Sequence, residues 1–275
     1  MFEPNFKINV LEEKQGYGKF SIDPLDAGFG QTLGNALRRV MLTSMPGAAV
    51  INIKIDGVKH QFSTISGLKE DCVEFVLNIK KIRFILSENQ PVKVTLSVHG
   101  PKEIKASDLK LSGGVEVANK DLYLGTLTDS KSKIEAELTV DHGYGFMPVE
   151  EQTVKTIGVI PLDAVFTPVT RVNYTVSATR VGRMTNLDKL TLEVWTDGTI
   201  EPLIALKTAA KLLVSYFMQV YEPKAVIAEG VAVTPSVSDD VLKMTIEELD
   251  LPTRIVNSLK NGDIETVGQL LGTPK

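Results

Sequence analysis

Six stretches of the sequence alternate apolar and polar side chains residue by residue, and this pattern constrains the fold more than any other feature. In residues 92–98, valine or leucine occupies every even position, and lysine, threonine or serine every odd one. Alternation with a period of two is typical of half-buried strands in antiparallel sheets. The same alternation occurs in residues 6–10, 51–56, 134–140, 172–179 and 190–194. The chain is therefore predicted to be rich in antiparallel sheet.

Three segments follow the helical period of 3.6 residues instead. Residues 31–44 carry a clean amphipathic stripe that begins after glycines and ends before a Pro-Gly pair. Residues 68–82 and 203–220 predict two further helices. The apolar face of the last one is wider than the ~100° that a surface helix needs, so we expect two of its sides to be buried. Sheet and helices together predict an α+β fold.

Composition narrows the class of protein. The 275 residues have room for about two domains. The single cysteine, Cys72, excludes an internal disulfide and a zinc site made of several cysteines, which favours a cytoplasmic protein without a bound metal. The net charge of −4 argues against a uniformly basic nucleic-acid binder. No apolar run reaches the ~18 residues of a membrane span, so no membrane contact is expected.

The sequence carries no established catalytic motif. It has neither a P-loop nor a Gly-x-Ser-x-Gly nucleophile elbow. Gly28, Gly30 and Gly34 resemble a dinucleotide fingerprint only loosely, because the third glycine follows four residues later rather than three. An enzyme that works alone, through the glycine-rich residues 143–146 and Glu150, stays open as an alternative. The glycines there are also typical of a flexible turn.

The first helix has a second face of unusual composition. At 100° per residue, the side opposite the apolar stripe holds Asn35, Arg38, Arg39 and Leu42. A leucine surrounded by arginine and asparagine resembles the centre and rim of a protein interface. We therefore expect this outward face to contact a partner within a larger assembly.

Many blocks of the sequence, in a fixed order along the chain, match one known pattern. The blocks are Asp23-Pro24-Leu25, residues 28–40, Pro46-Gly47-Ala48-Ala49, Ile55-Asp56-Gly57-Val58, Glu70-Asp71, Arg171-Val172-Asn173-Tyr174, Arg180-Val181-Gly182, residues 187–190 and Trp195-Thr196-Asp197-Gly198. Together they resemble the signature of one family, the alpha subunit of bacterial RNA polymerase, and the resemblance covers about residues 8–221.

The resemblance implies how the chain is divided. Residues 1–46 and 158–222 are expected to form a discontinuous dimerisation module, an antiparallel sheet plus two helices. Residues 47–157 are expected to form an inserted β-rich module. A linker, residues 223–243, and a partial, all-α C-terminal domain, residues 244–275, follow.

The resemblance also implies the partners. The family forms a homodimer on which the beta and beta' subunits assemble for transcription, and it supplies no catalytic residue and no cofactor. Contact with the large subunits is implied for Asn35, Arg38, Arg39, Leu42, Arg180, Asp188 and Lys189. The dimer interface is implied for Leu33, Leu37, Val40, Leu206, Ala210, Leu213 and Phe217.

The C-terminal segment resembles the start of the family's DNA-binding domain. Arg254, Asn257 and Lys260 stand at positions that contact DNA in the family, and arginine suits the narrow minor groove of A-tracts. Only about 30 residues are present, below the ~40 that a free-standing core needs. We therefore expect an incomplete domain, with promoter DNA and activators as partners only if it were complete. A free-standing DNA-binding transcription regulator stays open as an alternative, which salt-dependent DNA binding would favour.

Overall fold

The computed structural model describes residues 4–87, 90–151 and 158–223. The predicted C-terminal segment, with Arg254, Asn257 and Lys260, and all of the predicted linker except Pro223 lie outside this part. Three α-helices are described there: α1 (Phe29–Thr43), α2 (Cys72–Ile79) and α3 (Pro202–Tyr221). The strands are β1 (Lys7–Lys14), β2 (Tyr17–Asp26), β3 (Pro46–Ile55), β4 (Phe84–Leu86), β5 (Val92–His99), β6 (Lys102–Lys105), β7 (Leu109–Lys110), β8 (Val115–Val117), β9 (Tyr123–Leu127), β10 (Lys133–Tyr144), β11 (Phe146–Met147), β12 (Val159–Pro161), β13 (Ala164–Val165), β14 (Val169–Val181) and β15 (Met184–Thr196).

The first sheet joins both ends of the described residues. Its strand order is β1-β2-β15-β14, and every neighbouring pair is antiparallel. Helices α1 and α3 pack on one face of this sheet, where Phe20, Met41, Leu190 and Leu192 are fully buried. Because β2 and β15 are central neighbours, this sheet forms only after the chain has returned from the segment between α1 and β14.

The intervening segment forms a second sheet with its own core. The strand order is β7-β5-β10-β3-β4-β8, with β12 also paired to β3. Helix α2 contributes Cys72, Phe75 and Ile79 to this core, all fully buried. Cys72 is thus a packing residue, and burial raises the pKa of its thiol. The predicted α+β class is confirmed for the described residues.

Helix α2 is shorter than the periodicity of residues 68–82 predicts. It begins after Asp71, whose carboxylate accepts a hydrogen bond of 2.6 Å from the Glu74 amide. This is the usual role of an N-cap aspartate. Leu68 forms a β-bridge with Leu127 instead of a helical turn. Pairing with strand β9 therefore overrides the local helical pattern.

The chain passes between the two sheets at one place. Gly47 lies on the segment that leads from α1 into the second sheet, and Phe166 lies on the segment that returns to β14. A Cβ at Gly47 would lie 1.8 Å from the carbonyl oxygen of Phe166. Only glycine permits this approach of two backbones. Beside the crossing, the Arg83 Nε lies 3.4 Å from a carboxylate oxygen of Asp197. The Asp197 amide donates to the Pro168 carbonyl. The entry and exit segments are thus held side by side.

The face of the first sheet opposite the helices is polar. Lys19 and Glu193, cross-strand neighbours there, form an ion pair of 3.1 Å. The hydrogen bond from Lys19 lowers the pKa of the Glu193 carboxyl, whereas burial acts against that shift. The Arg171 guanidinium stacks 4.7 Å from the ring centroid of Trp195. This face therefore suits contact with water, unlike the exposed side of α3.

Candidate subunit interfaces

An apolar groove of about 560 Å³ lies between β1, α1 and α3. Its walls include Ile8 and Val10 from β1, Leu33 from α1, and Leu213 and Phe217 from α3. Ile8 and Val10 are about half exposed, although alternation predicts a half-buried strand. Strand β1 thus presents its apolar side chains to a surface that none of the described residues covers.

The second half of α3 continues this apolar surface. Val214, Phe217 and Val220 are 58%, 66% and 81% exposed. The side chains of Tyr216, Met218 and Tyr221 are also exposed. Contiguous apolar surface of this kind marks a protein interface or a membrane-contacting segment.

Helix α3 is the one described helix long and apolar enough to cross a membrane, judged by length and composition alone. Its most apolar 18-residue window is only 17% buried. Length and composition do not distinguish a membrane span from an interface helix. Lys207 and Lys211 place two charges within the segment. Burying both in hydrocarbon costs several kcal/mol (about 2.5–3.5 each at a bilayer centre), which favours the interface.

Six of the seven residues expected at a dimer interface line the apolar groove: Leu33, Leu37, Leu206, Ala210, Leu213 and Phe217. The seventh, Val40, is half-buried and packs against the core of the first sheet. Leu37 and Leu206 are themselves buried in that core, so they form the floor of the groove. The contribution of β1 was missed, because the sequence does not show which strand lies at the sheet edge.

The outward face of α1 is exposed at Asn35, Arg38 and Arg39. Leu42 differs from the expected placement, because it is half-buried and packs against the first core. Its neighbours Met41 and Met45 are fully buried. The core therefore closes around the end of the helix, and Leu42 lies at the border of the outward face rather than at its centre.

Asp188 holds the start of α1 in place. One of its carboxylate oxygens accepts hydrogen bonds from the backbone amides of Gly28, at 2.9 Å, and Gly30, at 3.1 Å. Gly28 precedes the helix with φ 88° and has no side chain that could accept such bonds. A carboxylate there satisfies free amides and interacts favourably with the helix dipole. Asp188, expected at a large-subunit interface, thus has a structural role in this protein.

Replacing Asp188 by alanine is expected to lower the free energy of unfolding by about 1 kcal/mol, the usual cost of removing a helix cap. Urea denaturation followed by circular dichroism measures this loss. Asp188→Asn is the matched variant, since its amide oxygen still accepts both bonds, and it should lose less than half as much. Equal stability of the alanine variant and the unsubstituted protein would show that the two hydrogen bonds contribute nothing.

The other two residues expected to contact a large subunit through the stretch 180–197, here called the second contact region, are Arg180 and Lys189. Arg180 is exposed, and its Nε donates a 2.9 Å hydrogen bond to the Gly182 carbonyl at the β14–β15 turn. Lys189 is half-buried. Arg180 is thus the member of this set with the most accessible charge.

The glycines of α1 serve packing rather than phosphate binding. A Cβ at Gly34 would lie 2.6 Å from the Tyr174 ring, and one at Gly30 would lie 2.7 Å from Val176. Both glycines are buried on the side of α1 that faces β14. The spacing that loosely resembled a dinucleotide fingerprint therefore lets the helix approach the sheet.

The glycine-rich residues 143–146 join β10 to β11 through Gly145, which has φ 62°. Gly143 and Tyr144 complete β10, and a Cβ at Gly143 would lie 2.5 Å from the Phe166 ring. Among residues 4–87, 90–151 and 158–223, no group of three or more His, Cys, Asp or Glu could hold a metal ion.

The described residues form a folded core with an uncovered apolar groove, and the outward face of α1, with Arg38 and Arg39, is separate from that groove. These features are typical of a subunit of a larger protein assembly. Comparison with known proteins identifies which assembly. The family model "RNA polymerase Rpb3/RpoA insert domain" matches residues 53–167, and the model of the C-terminal domain of the bacterial RNA polymerase alpha chain matches residues 234–275.

Relatives named DNA-directed RNA polymerase subunit alpha match nearly the whole sequence. The protein of Herpetosiphon aurantiacus is 47% identical in an alignment of 272 positions that covers 96% of this chain and 81% of the relative. That of Syntrophomonas wolfei is 44% identical in an alignment of 277 positions, gaps included, that covers 98% of this chain and 87% of the relative. The chain therefore belongs to the family of bacterial RNA polymerase alpha subunits, parts of a multi-subunit complex. Nothing in these comparisons supports a free-standing regulator.

Proposed function

We propose that this chain is a cytoplasmic, non-catalytic subunit that forms a homodimer, on which the beta and beta' subunits assemble into DNA-directed RNA polymerase. The observation that carries the proposal is the apolar groove between β1, α1 and α3, together with the exposed second half of α3. A groove and a protruding apolar helix on one protomer suit a two-fold interface, in which each copy supplies both.

The proposed dimerisation module comprises residues 1–46 and 158–222, with residues 47–157 as the inserted module. The first sheet supports it, since its strands come from both sides of the insert. The match of the insert-domain model to residues 53–167 supports it as well. The C-terminal segment would contact promoter DNA and activators, through Arg254, Asn257 and Lys260, only if that domain were complete.

The proposed contact with the large subunits uses the outward face of α1, Asn35, Arg38, Arg39 and Leu42, with Arg180, Asp188 and Lys189 at the second region. Arg38 and Arg39 are exposed, whereas the groove residues of α1 lie on its other side. One helix can thus contact a second copy and a large subunit at the same time. Since arginine is enriched among the residues that dominate interfaces, Arg39 is the residue to test.

Arg39→Ala is expected to leave the alpha dimer intact and to weaken assembly with the beta and beta' subunits at least about tenfold, the effect of about 1.4 kcal/mol. Co-purification of the large subunits with tagged alpha, plus sedimentation of alpha alone, gives both readouts. Lys131→Ala removes a positive charge from an exposed turn of the second sheet and is the control for charge alone. Normal core assembly by the Arg39 variant would contradict the proposed contact.

A further inference from the structure

A small ribbon beside α1 has an apolar face where a polar one is expected. In this ribbon, β11 pairs with β13 so that Met147 lies opposite Ala164 and Phe146 opposite Val165. Met147 and Ala164 pack into a separate small core with Phe166. Phe146 and Val165 lie on the other face and are 60% and 44% exposed. A two-stranded ribbon packed on one side normally carries polar residues on the other.

Tyr144 extends this exposed surface. It ends β10, two residues before Phe146, and is 71% exposed. Two aromatic side chains two residues apart, and the valine paired with the second of them, are thus exposed; they are here called the aromatic patch: Tyr144, Phe146 and Val165. Aromatic residues are enriched in the buried centres of protein interfaces.

The aromatic patch is anchored at the C-terminal end of α1. Gly145, between the two aromatic residues, has φ 62°, and a Cβ there would lie 2.6 Å from the Thr43 carbonyl oxygen. Thr43 closes α1 one turn after Arg39, and its hydroxyl donates a 2.9 Å hydrogen bond to the Arg39 carbonyl. The segment that carries Tyr144 and Phe146 therefore lies against the C-terminal end of α1, one helical turn after Arg39.

We propose that the aromatic patch is an apolar extension of the outward face of α1, and that one and the same large polymerase subunit covers both. The inference rests on the proposed function for the identity of the partner. The partner surface that fits has an apolar depression for Phe146 and Tyr144, bordered by acidic groups opposite Arg38 and Arg39. One turn of helix separates Arg39 from Thr43, so an interface of standard size, about 800 Å² per partner, spans both parts.

A second copy of this protein is not the expected occupant. The apolar groove that suits the dimer is lined by Leu33 and Leu37 of α1, and none of the three patch residues lines it. Arg38 and Arg39, which the patch adjoins, do not line the groove either. The patch therefore lies outside the groove that a second copy is proposed to cover.

The test compares single variants of the full-length protein in reconstitution with the beta and beta' subunits of the same polymerase. Phe146→Ser removes the central aromatic ring of the patch, and Arg39→Ala reports on the proposed function by itself. Phe62→Ser is the matched control, because Phe62 is 76% exposed on the segment between β3 and α2. The readouts are the yield of assembled core at graded subunit concentrations, and sedimentation of the alpha dimer alone.

The expected result is at least a tenfold higher concentration for half-maximal assembly with Phe146→Ser and with Arg39→Ala, an unchanged dimer, and normal assembly with Phe62→Ser. If Arg39→Ala is impaired and Phe146→Ser is not, the patch is not part of the contact while the proposed function stands. If both assemble normally, the proposed contact fails as well. Impaired dimerisation of Phe146→Ser, impairment of Phe62→Ser, or impairment of Phe146→Ser with normal Arg39→Ala would each overturn the inference.

Discussion

Phe217→Asp is expected to convert the alpha dimer into a folded monomer. The Phe217 ring is 66% exposed in the single protomer, so the fold does not depend on it. In the proposed dimer the same position is covered, and an aspartate there would be an unpaired buried charge. Truncating a central aromatic residue at an interface costs about 2–4 kcal/mol. We therefore expect the dimer dissociation constant to rise about 100-fold or more, measured by sedimentation over a dilution series.

The matched control for this variant is Phe62→Asp. It makes the same chemical change at a phenylalanine that is 76% exposed and does not line the groove. This variant should sediment as the unsubstituted protein does. A Phe217→Asp protein that stays dimeric at micromolar concentration would refute the assignment of the groove, and an unfolded one, by circular dichroism, would show that α3 needs this ring within its own protomer.

Gly34→Val is expected to be the most destabilising of the substitutions considered for α1. A Cβ at this position would lie 2.6 Å from the Tyr174 ring and 3.0 Å from a methyl carbon of Leu190. Leu190 is fully buried, and the Tyr174 hydroxyl donates to Gln31 at 3.1 Å, so neither of these two residues can move cheaply. Overpacking of this kind costs about 1–3 kcal/mol, more than the fraction of 1 kcal/mol gained by removing a helical glycine.

The net loss of about 2 kcal/mol corresponds to a melting temperature lower by about 4–8 °C for a unit of this size. Differential scanning calorimetry measures it directly. Gly113→Val is the control, because a Cβ at Gly113 meets nothing within 4 Å and the residue is exposed. Equal melting temperatures of the Gly34 and Gly113 variants would show that α1 can move away from the sheet at no cost.

Much of the fold follows from local pattern. The alternating stretches all fall on strands, and the first and last helices begin and end within two residues of prediction, because their apolar stripes coincide with their buried faces. Helix α2 is the exception, since a bridge from Leu68 to Leu127, 59 residues away, competes with helix formation. A local pattern cannot report a partner that distant in sequence.

The site is less accessible to prediction from sequence for the same reason. The stripe of α1 predicts which side chains line the groove, but the close packing of Gly34 depends on Tyr174, which is 140 residues away. The patch residue Val165 becomes visible only through its pairing with Phe146. The resemblance predicts Asp188 at an interface, whereas the hydrogen bonds that it accepts from Gly28 and Gly30 give it a structural role that only the geometry shows.

The crossing at Gly47 and Phe166 has an evolutionary consequence. The two segments that connect the first sheet to the second lie side by side at Gly47 and Phe166. The second sheet can therefore gain or lose strands and loops without moving the residues of the first sheet to which it is attached. Insertions with adjacent ends are the ones that folded domains tolerate best. Lineages are therefore free to resize the insert without disturbing the proposed pairing of α1, α3 and β1 with another copy. Sequence length within this family should vary mainly between residues 47 and 166.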